Sequence, residues 1–193
     1  MSHEKVTGKD VVAAGLVCGT RSGESATALG RFTMECVGAD GQVKWTATEH
    51  NLVVNTGLQY MAGSALTSVT QITTWYLGLY GAAASNTPAA GDTAASHAGW
   101  TEITPYSNGV RPTCSFATAT TANPSVATNS ASVAAFNINA TATIGGAFLI
   151  SNDTKGGTTG TLFSAADFQS PGDRTVVSGD TLNVTYTFSL DAA

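Results

Sequence analysis

Charge is what this sequence has least of. Lysine and arginine together number eight and aspartate and glutamate thirteen, so charged side chains make up 11% of 193 residues, against about 25% in an ordinary soluble domain. The net charge is −5, and between Lys44 and Lys155 the one cation is Arg111. Affinity for a phosphate backbone rests on clustered Lys and Arg, so nucleic acid is not an expected partner.

Cysteine is scarce as well. Cys18, Cys36 and Cys114 are odd in number and show no C-x-x-C spacing, and His3, His50 and His97 fall in no ligand pattern. Both facts argue against a disulfide framework and against a zinc site. Reduced, buried thiols are the expectation, which fits folding in a reducing cytoplasm. Also missing is any run of about 18 apolar residues, so no transmembrane helix and no membrane partner is expected. The short apolar run from Val11 to Cys18 follows Asp10 and lacks the layout of a secretory signal, and Val17 before Cys18 does not fit a lipoprotein site.

What is abundant is Gly, Ala, Ser, Thr and Asn, in a pattern that alternates. From Thr181 to Leu190, Leu182, Val184, Tyr186, Phe188 and Leu190 fall on one side of a strand and Thr181, Asn183, Thr185, Thr187 and Ser189 on the other. Ser178-Gly179-Asp180 reads as a turn that pairs this strand with Thr175-Val176-Val177 as a hairpin. Phe32, Met34 and Cys36 alternate in the same way, and Gly38-Ala39-Asp40-Gly41 turns the chain into Val43 to Thr48. Trp75 to Tyr80 reads as a central strand in which Gly78 marks a bend, a bulge or a close backbone approach. Val133 to Thr143, Ile144 to Ile150 and Thr161 to Phe163 add further strands, and 117–132 is a low-complexity loop with one short edge strand. Leu58, Met61, Ala62, Ala65 and Leu66 recur at helical spacing with Asn55 placed to cap, which predicts one short helix lidding the core.

Eight to ten short strands with turns at regular intervals predict an all-β fold, an antiparallel β-sandwich or jelly roll, over 31–193. Residues 1–30 carry little that can bury itself apart from Val11 to Val17, and are expected to form an extended N-terminal arm.

No stretch announces chemistry. No serine sits in a Gly-x-Ser-x-Gly elbow, and no acid pair is placed for sugar cleavage. Asp92, His97 and Glu102 are close in sequence but match no metal cage. Asp153, Asp167, Asp173 and Asp180 fall in turns and loops, where Asp is favoured for its bonds to nearby backbone. Catalytic, cofactor-binding and metal-binding residues are therefore all assigned as none, and the chain is not expected to be an enzyme. The aromatic residues leave one alternative: Trp100 and Tyr106, beside a Gly-rich loop, are candidates for stacking on a sugar.

Five blocks taken together resemble a known family. They are Gly41-Gln42-Val43-Lys44-Trp45, Asn51-Leu52-Val53-Val54-Asn55-Thr56-Gly57-Leu58, Trp75-Tyr76-Leu77-Gly78-Leu79, Ala147-Phe148-Leu149-Ile150-Ser151 and Ser178-Gly179-Asp180-Thr181-Leu182. Spanning about residues 31 to 190, they resemble virion structural proteins of tailed bacteriophages, of the capsid cement or head-decoration type. That resemblance implies a jelly-roll-like β domain on the outside of an icosahedral capsid, tying neighbouring major capsid protein subunits together. It carries over no catalytic residue. It implies manufacture in the host cytoplasm, a place on the virion exterior, and contacts with the major capsid protein and with other copies in a homo-oligomer. Val11, Val12, Leu16 and Val17 in the arm, and Thr185 and Thr187 on the polar strand face, are the residues expected to make those contacts. A tail-tip or fibre module that binds a receptor carbohydrate is the alternative.

Overall fold

A period of two leaves Phe32, Met34 and Cys36 one face to bury. In the computed structural model, which describes residues 25–81, 87–169 and 172–192, they lie in strand β1 (Ala26–Val37) with all three side chains buried. β1 starts at Ala26, ahead of Arg31, because its early residues pair with the end of the last strand, Ala26 opposite Ala192. Gly41 takes φ 78° in the turn, Gln42 N–H donates to Asp40 Oδ1 at 3.0 Å, and β2 (Val43–His50) returns antiparallel.

Beyond β2 come β3 (Leu52–Val53), helix α1 (Asn55–Leu66), β4 (Trp75–Gly81), β5 (Thr101–Ile103) and β6 (Thr113–Cys114). They are followed by β7 (Ser125–Thr128), β8 (Ala134–Asn137), β9 (Ala142–Ile150), β10 (Leu162–Asp167), β11 (Arg174–Val176) and β12 (Thr181–Ala192). All pairings among the described residues are antiparallel and form two sheets. The first has order β2-β1-β12-β7, with β8 also on β12. The second has order β3-β10-β9-β4-β5, with β11 also on β9 and β6 also on β4. Phe32, Met34, Leu182, Val184 and Tyr186 of the first meet Leu77, Leu79, Ala147 and Leu149 of the second in one core. The fold is all-β with one short helix, an antiparallel sandwich.

One local expectation is overturned. β11 does not pair with β12: it joins β9 in the second sheet, Thr175 opposite Thr143. Residues 177–180 instead carry the chain across the sandwich, closed by Asp180 N–H to Val177 O at 3.0 Å and by Val177 N–H to Asp180 Oδ2 at 3.0 Å. β12 itself is central: β1 runs along one side, and β8 and β7 divide the other. A tight turn states that the chain reverses, and only tertiary pairing decides which sheet takes each arm.

The helix forms where its period predicts, but it buries a different face. Leu58 is 46% and Leu66 86% exposed, and Val54 occupies the N-cap without a side-chain bond. Gly57 and Gly63 are buried instead. A Cβ at Gly57 would fall on the Phe163 carbonyl, so the missing side chain lets α1 lie against β10. That approach turns Tyr60 and Met61 towards the core beside Trp75, and leaves Leu58, Ala62, Ala65 and Leu66, the rest of the expected stripe, in solvent.

The second sheet is buried on both sides. Along β9 every residue from Ile144 to Ile150 is buried, the continuous apolar reading of a doubly covered strand. On its outer face a second cluster gathers Tyr80, Trp100, Phe148, Ile150, Leu162 and Ala165. Of the bend, bulge or close approach expected at Gly78, the structure has a close approach: the Phe148 ring lies where its Cβ would be.

Candidate functional site

A guanidinium is held inside a protein only with partners. Arg111, the lone cation of the middle of the chain, is 1% exposed. Its Nε donates to Glu102 Oε1 at 2.9 Å and its Nη2 to Glu102 Oε2 at 2.6 Å. Nη1 donates to Asn152 O at 2.8 Å and Nη2 to Gly157 O at 3.0 Å, and the group lies 5.4 Å from the Phe148 ring centroid. Gly156 N–H completes Glu102 at 2.7 Å, and Arg111 N–H reaches Asp153 O at 2.8 Å. The pair therefore latches β5 and the turn at 152–157 together across the outer face of the second sheet. A cavity of about 140 Å³ adjoins it, but the guanidinium points its donors at protein acceptors, so the pair reads as a latch.

Asp92, His97 and Glu102 do not converge on a metal. Asp92 Oδ2 accepts from Trp100 Nε1 at 2.9 Å and from Ala89 N–H at 2.9 Å. His97 stacks on Trp100 with centroids 3.9 Å apart and donates from Nδ1 to Trp100 O at 2.8 Å. Glu102 belongs to Arg111. Among the described residues no group of three or more His, Cys, Asp or Glu is arranged to hold a metal.

Trp100 and Tyr106 are 4% and 1% exposed, so the sugar-stacking platform expected of them is not formed. Trp100 plugs the second cluster between Tyr80 and Phe148, at 5.1 and 5.2 Å. Tyr106 stands edge-on to Phe136 at 5.0 Å, under the Lys155 ammonium. An aromatic beside a Gly-rich loop is equally the residue around which that loop packs, and only burial separates the two roles.

The two thiols among the described residues, Cys36 and Cys114, are buried. Burial, helped by the nearby Asp180 carboxylate, pushes the Cys36 thiol up to about 11, and burial pushes Cys114 up to about 12. A thiol that high stays protonated at neutral pH. Asp180 accepts from Lys44 Nζ at 2.7 Å. Burial pushes its carboxyl up, but the bonds from Lys44 and Val177 N–H outweigh this and hold it below the usual carboxylate range. In the second sheet Asp167 goes the other way: burial, with Asp173 and Glu49 nearby, raises it despite a hydrogen bond from Tyr80.

Thr185 and Thr187 lie on the outer face of the first sheet, half-buried in rows that cross it. His50, Arg31, Thr187 and Thr128 form one row, and Thr48, Thr33 and Thr185 the next. Thr187 and Thr128 hydroxyls are 3.0 Å apart, and Asn183 Nδ2 donates to Glu35 Oε1 at 3.3 Å. Shallow hollows flank the rows, with Leu29 and Val133 at their rims, 49% and 43% exposed. Sequence reasoning missed Asn129. Fully buried between β7 and β8, it accepts Tyr186 N–H at 2.7 Å and donates to Val184 O at 3.2 Å, so the break along β12 stays hydrogen-bonded. An Asn closing a polar loop before a strand was its one signal. Val11, Val12, Leu16 and Val17 lie outside the described residues.

Comparison with protein-family models, with curated proteins and with solved structures finds no match for this chain.

Proposed function

We propose that this chain is a capsid cement protein of a tailed bacteriophage, made in the host cytoplasm and bound to the outside of the virion shell. The open outer face of the first sheet carries the reading. It is built on rows of Thr and Asn, and its two inner strands carry charge there only at Arg31, Glu35 and Asp191. A face of that kind docks on a neighbour with little charge to desolvate in the contact. Cement function asks for no catalysis. It asks for many modest contacts, each linking major capsid protein subunits or neighbouring copies in a homo-oligomer, so that together they hold the shell.

In this reading Thr185 and Thr187 meet the shell, and the arm residues Val11, Val12, Leu16 and Val17 meet a coat subunit or a neighbouring copy. A jelly-roll-like reading of the domain is supported by the chain's repeated crossings between sheets, at β2 to β3, β6 to β7, β8 to β9 and β11 to β12, with β12 beside β1. The five sequence blocks that resemble head-decoration proteins supply the phage assignment.

Quantitative electrophoresis of purified particles, with a density map of the intact virion, tests the reading. The expected result is hundreds of copies on the outer shell surface. A few dozen copies at the tail tip would replace it with receptor binding.

A further inference from the structure

Where the sandwich opens beside α1, the two sheets do not close on each other. A groove of about 350 Å³ is left, within the size range of ligand pockets, about 300 to 1,000 Å³. Tyr60 and Met61 from the helix, Trp75 from β4, Ala127 from β7 and Phe188 from β12 line its walls, all half-buried, over a floor that includes Phe163. Edge-on contacts between Tyr60 and Trp75 at 5.3 Å, Trp75 and Phe163 at 5.4 Å, and Phe163 and Phe188 at 5.4 Å hold the walls in place. Among the described residues, no charged one lines it.

The chain enters the fold beside this groove. Gly30 is opposite Phe188 and Ala28 opposite Leu190, so the start of β1 lies alongside the end of β12 that carries Phe188 and Leu190 on one face. Leu190, 43% exposed, continues the apolar strip from Phe188 towards that entry. From Ala192 back to Phe188 is about 13 Å of strand. The eight-residue step from Val17 to Ser25 spans up to about 26 Å. Within residues 1–24, Val11-Val-Ala-Ala-Gly-Leu-Val17 is the one apolar block, and it carries no charge.

We propose that in the free protein the Val11 to Val17 segment of the same chain occupies this groove. Reach, entry point and shared lack of charge all favour it. Tethering favours the chain's own segment over a neighbour's, because a short linker holds it at an effective concentration of the order of millimolar. Bound there, the segment shields the side chains that would otherwise be left exposed in the unassembled protein. Its release would free them for another surface.

Full-length protein spin-labelled at Cys18 tests this, because Cys36 and Cys114 are buried. The label sits next to Val17, so NMR signals of Met61, Ala127 and Phe188 should lose most of their intensity while those of Thr48 keep theirs. Leu16→Asp with Val17→Asp should restore the groove signals and leave the shifts of the β core unchanged. A second sample mixes spin-labelled protein with isotope-labelled, spin-free protein, and should show no loss. Absence of quenching at the groove, quenching that survives the Asp pair, or quenching in the mixed sample, which means a neighbour's arm, would each overturn the proposal.

Discussion

β9 and β12 both run through the middle of a sheet, yet β9 is buried on every residue from Ile144 to Ile150 whereas β12 buries alternate ones, Leu182, Val184 and Tyr186. The difference lies in what covers the outer faces. Over β9 the chain lays its own material: Trp100 held by Asp92, Phe148 over Gly78, and the Arg111–Glu102 latch. Over β12 it lays none among the described residues, and the face is Thr and Asn with few charges. One antiparallel sheet face in water is ordinary, but such faces usually carry charge. We read the covered sheet as the one that stabilises the fold and the open sheet as the one that binds.

Substitutions on the two sheets should therefore separate stability from binding. The largest loss is expected at the latch. Arg111→Met leaves Glu102, 7% exposed at its side chain, as an unpaired buried carboxylate, which costs about 3–5 kcal/mol in chemical denaturation. Arg111→Met with Glu102→Leu should recover most of that, because replacing a buried pair by apolar groups is often neutral. If the double variant is as weak as the single, the hydrogen bonds to Asn152 O and Gly157 O are the larger share. Gly78→Ala comes next: its methyl must displace the Phe148 ring, at about 1–3 kcal/mol for overpacking. A midpoint unchanged in thermal melts would mean that the ring shifts freely and the outer cluster is loose.

The pH dependence should have opposite signs on the two sheets. Asp180 is held below its unfolded value, so its contribution is complete above the ordinary carboxylate range and is lost as pH falls through its lowered value. Asp167 is raised, so its contribution is complete below the ordinary range and is lost as pH rises through the raised value. Denaturation midpoints measured across mildly acidic pH should show Asp180→Asn flattening the acid-side loss and Asp167→Asn flattening the loss on the rising side. Equal slopes for both would remove the distinction. The smallest stability effect is expected at Thr185→Lys, about 0.5 kcal/mol or less on an open sheet face.

The hairpin of β1 and β2, the central placing of β4 and β9, and the role of Gly78 were all legible, because period-two burial and a glycine amid aromatics are local signals. Three features were not. The β11–β12 crossing was read as a hairpin because both readings use the same turn residues. The helix face was misread because its closest contact is made by Gly57, which adds nothing to a hydrophobic pattern. Arg111 stood out as a lone cation, but nothing local joins it to Glu102, nine residues earlier, or Asn152 and Gly157 in a distant turn. Trp100 and Tyr106 looked exposed for a related reason: loop residues are assumed solvated until a second core is found beneath them. The polar face of β12 was visible from alternation alone, although its flanking strands were not.

On the proposed cement role, binding of the Thr185→Lys, Thr187→Lys double variant to shells assembled from a cognate major capsid protein tests the division most directly. Co-sedimentation should fall at least roughly tenfold, equivalent to about 1.4 kcal/mol, while the denaturation midpoint stays where it was. Undiminished co-sedimentation would contradict the assignment of binding to the open sheet.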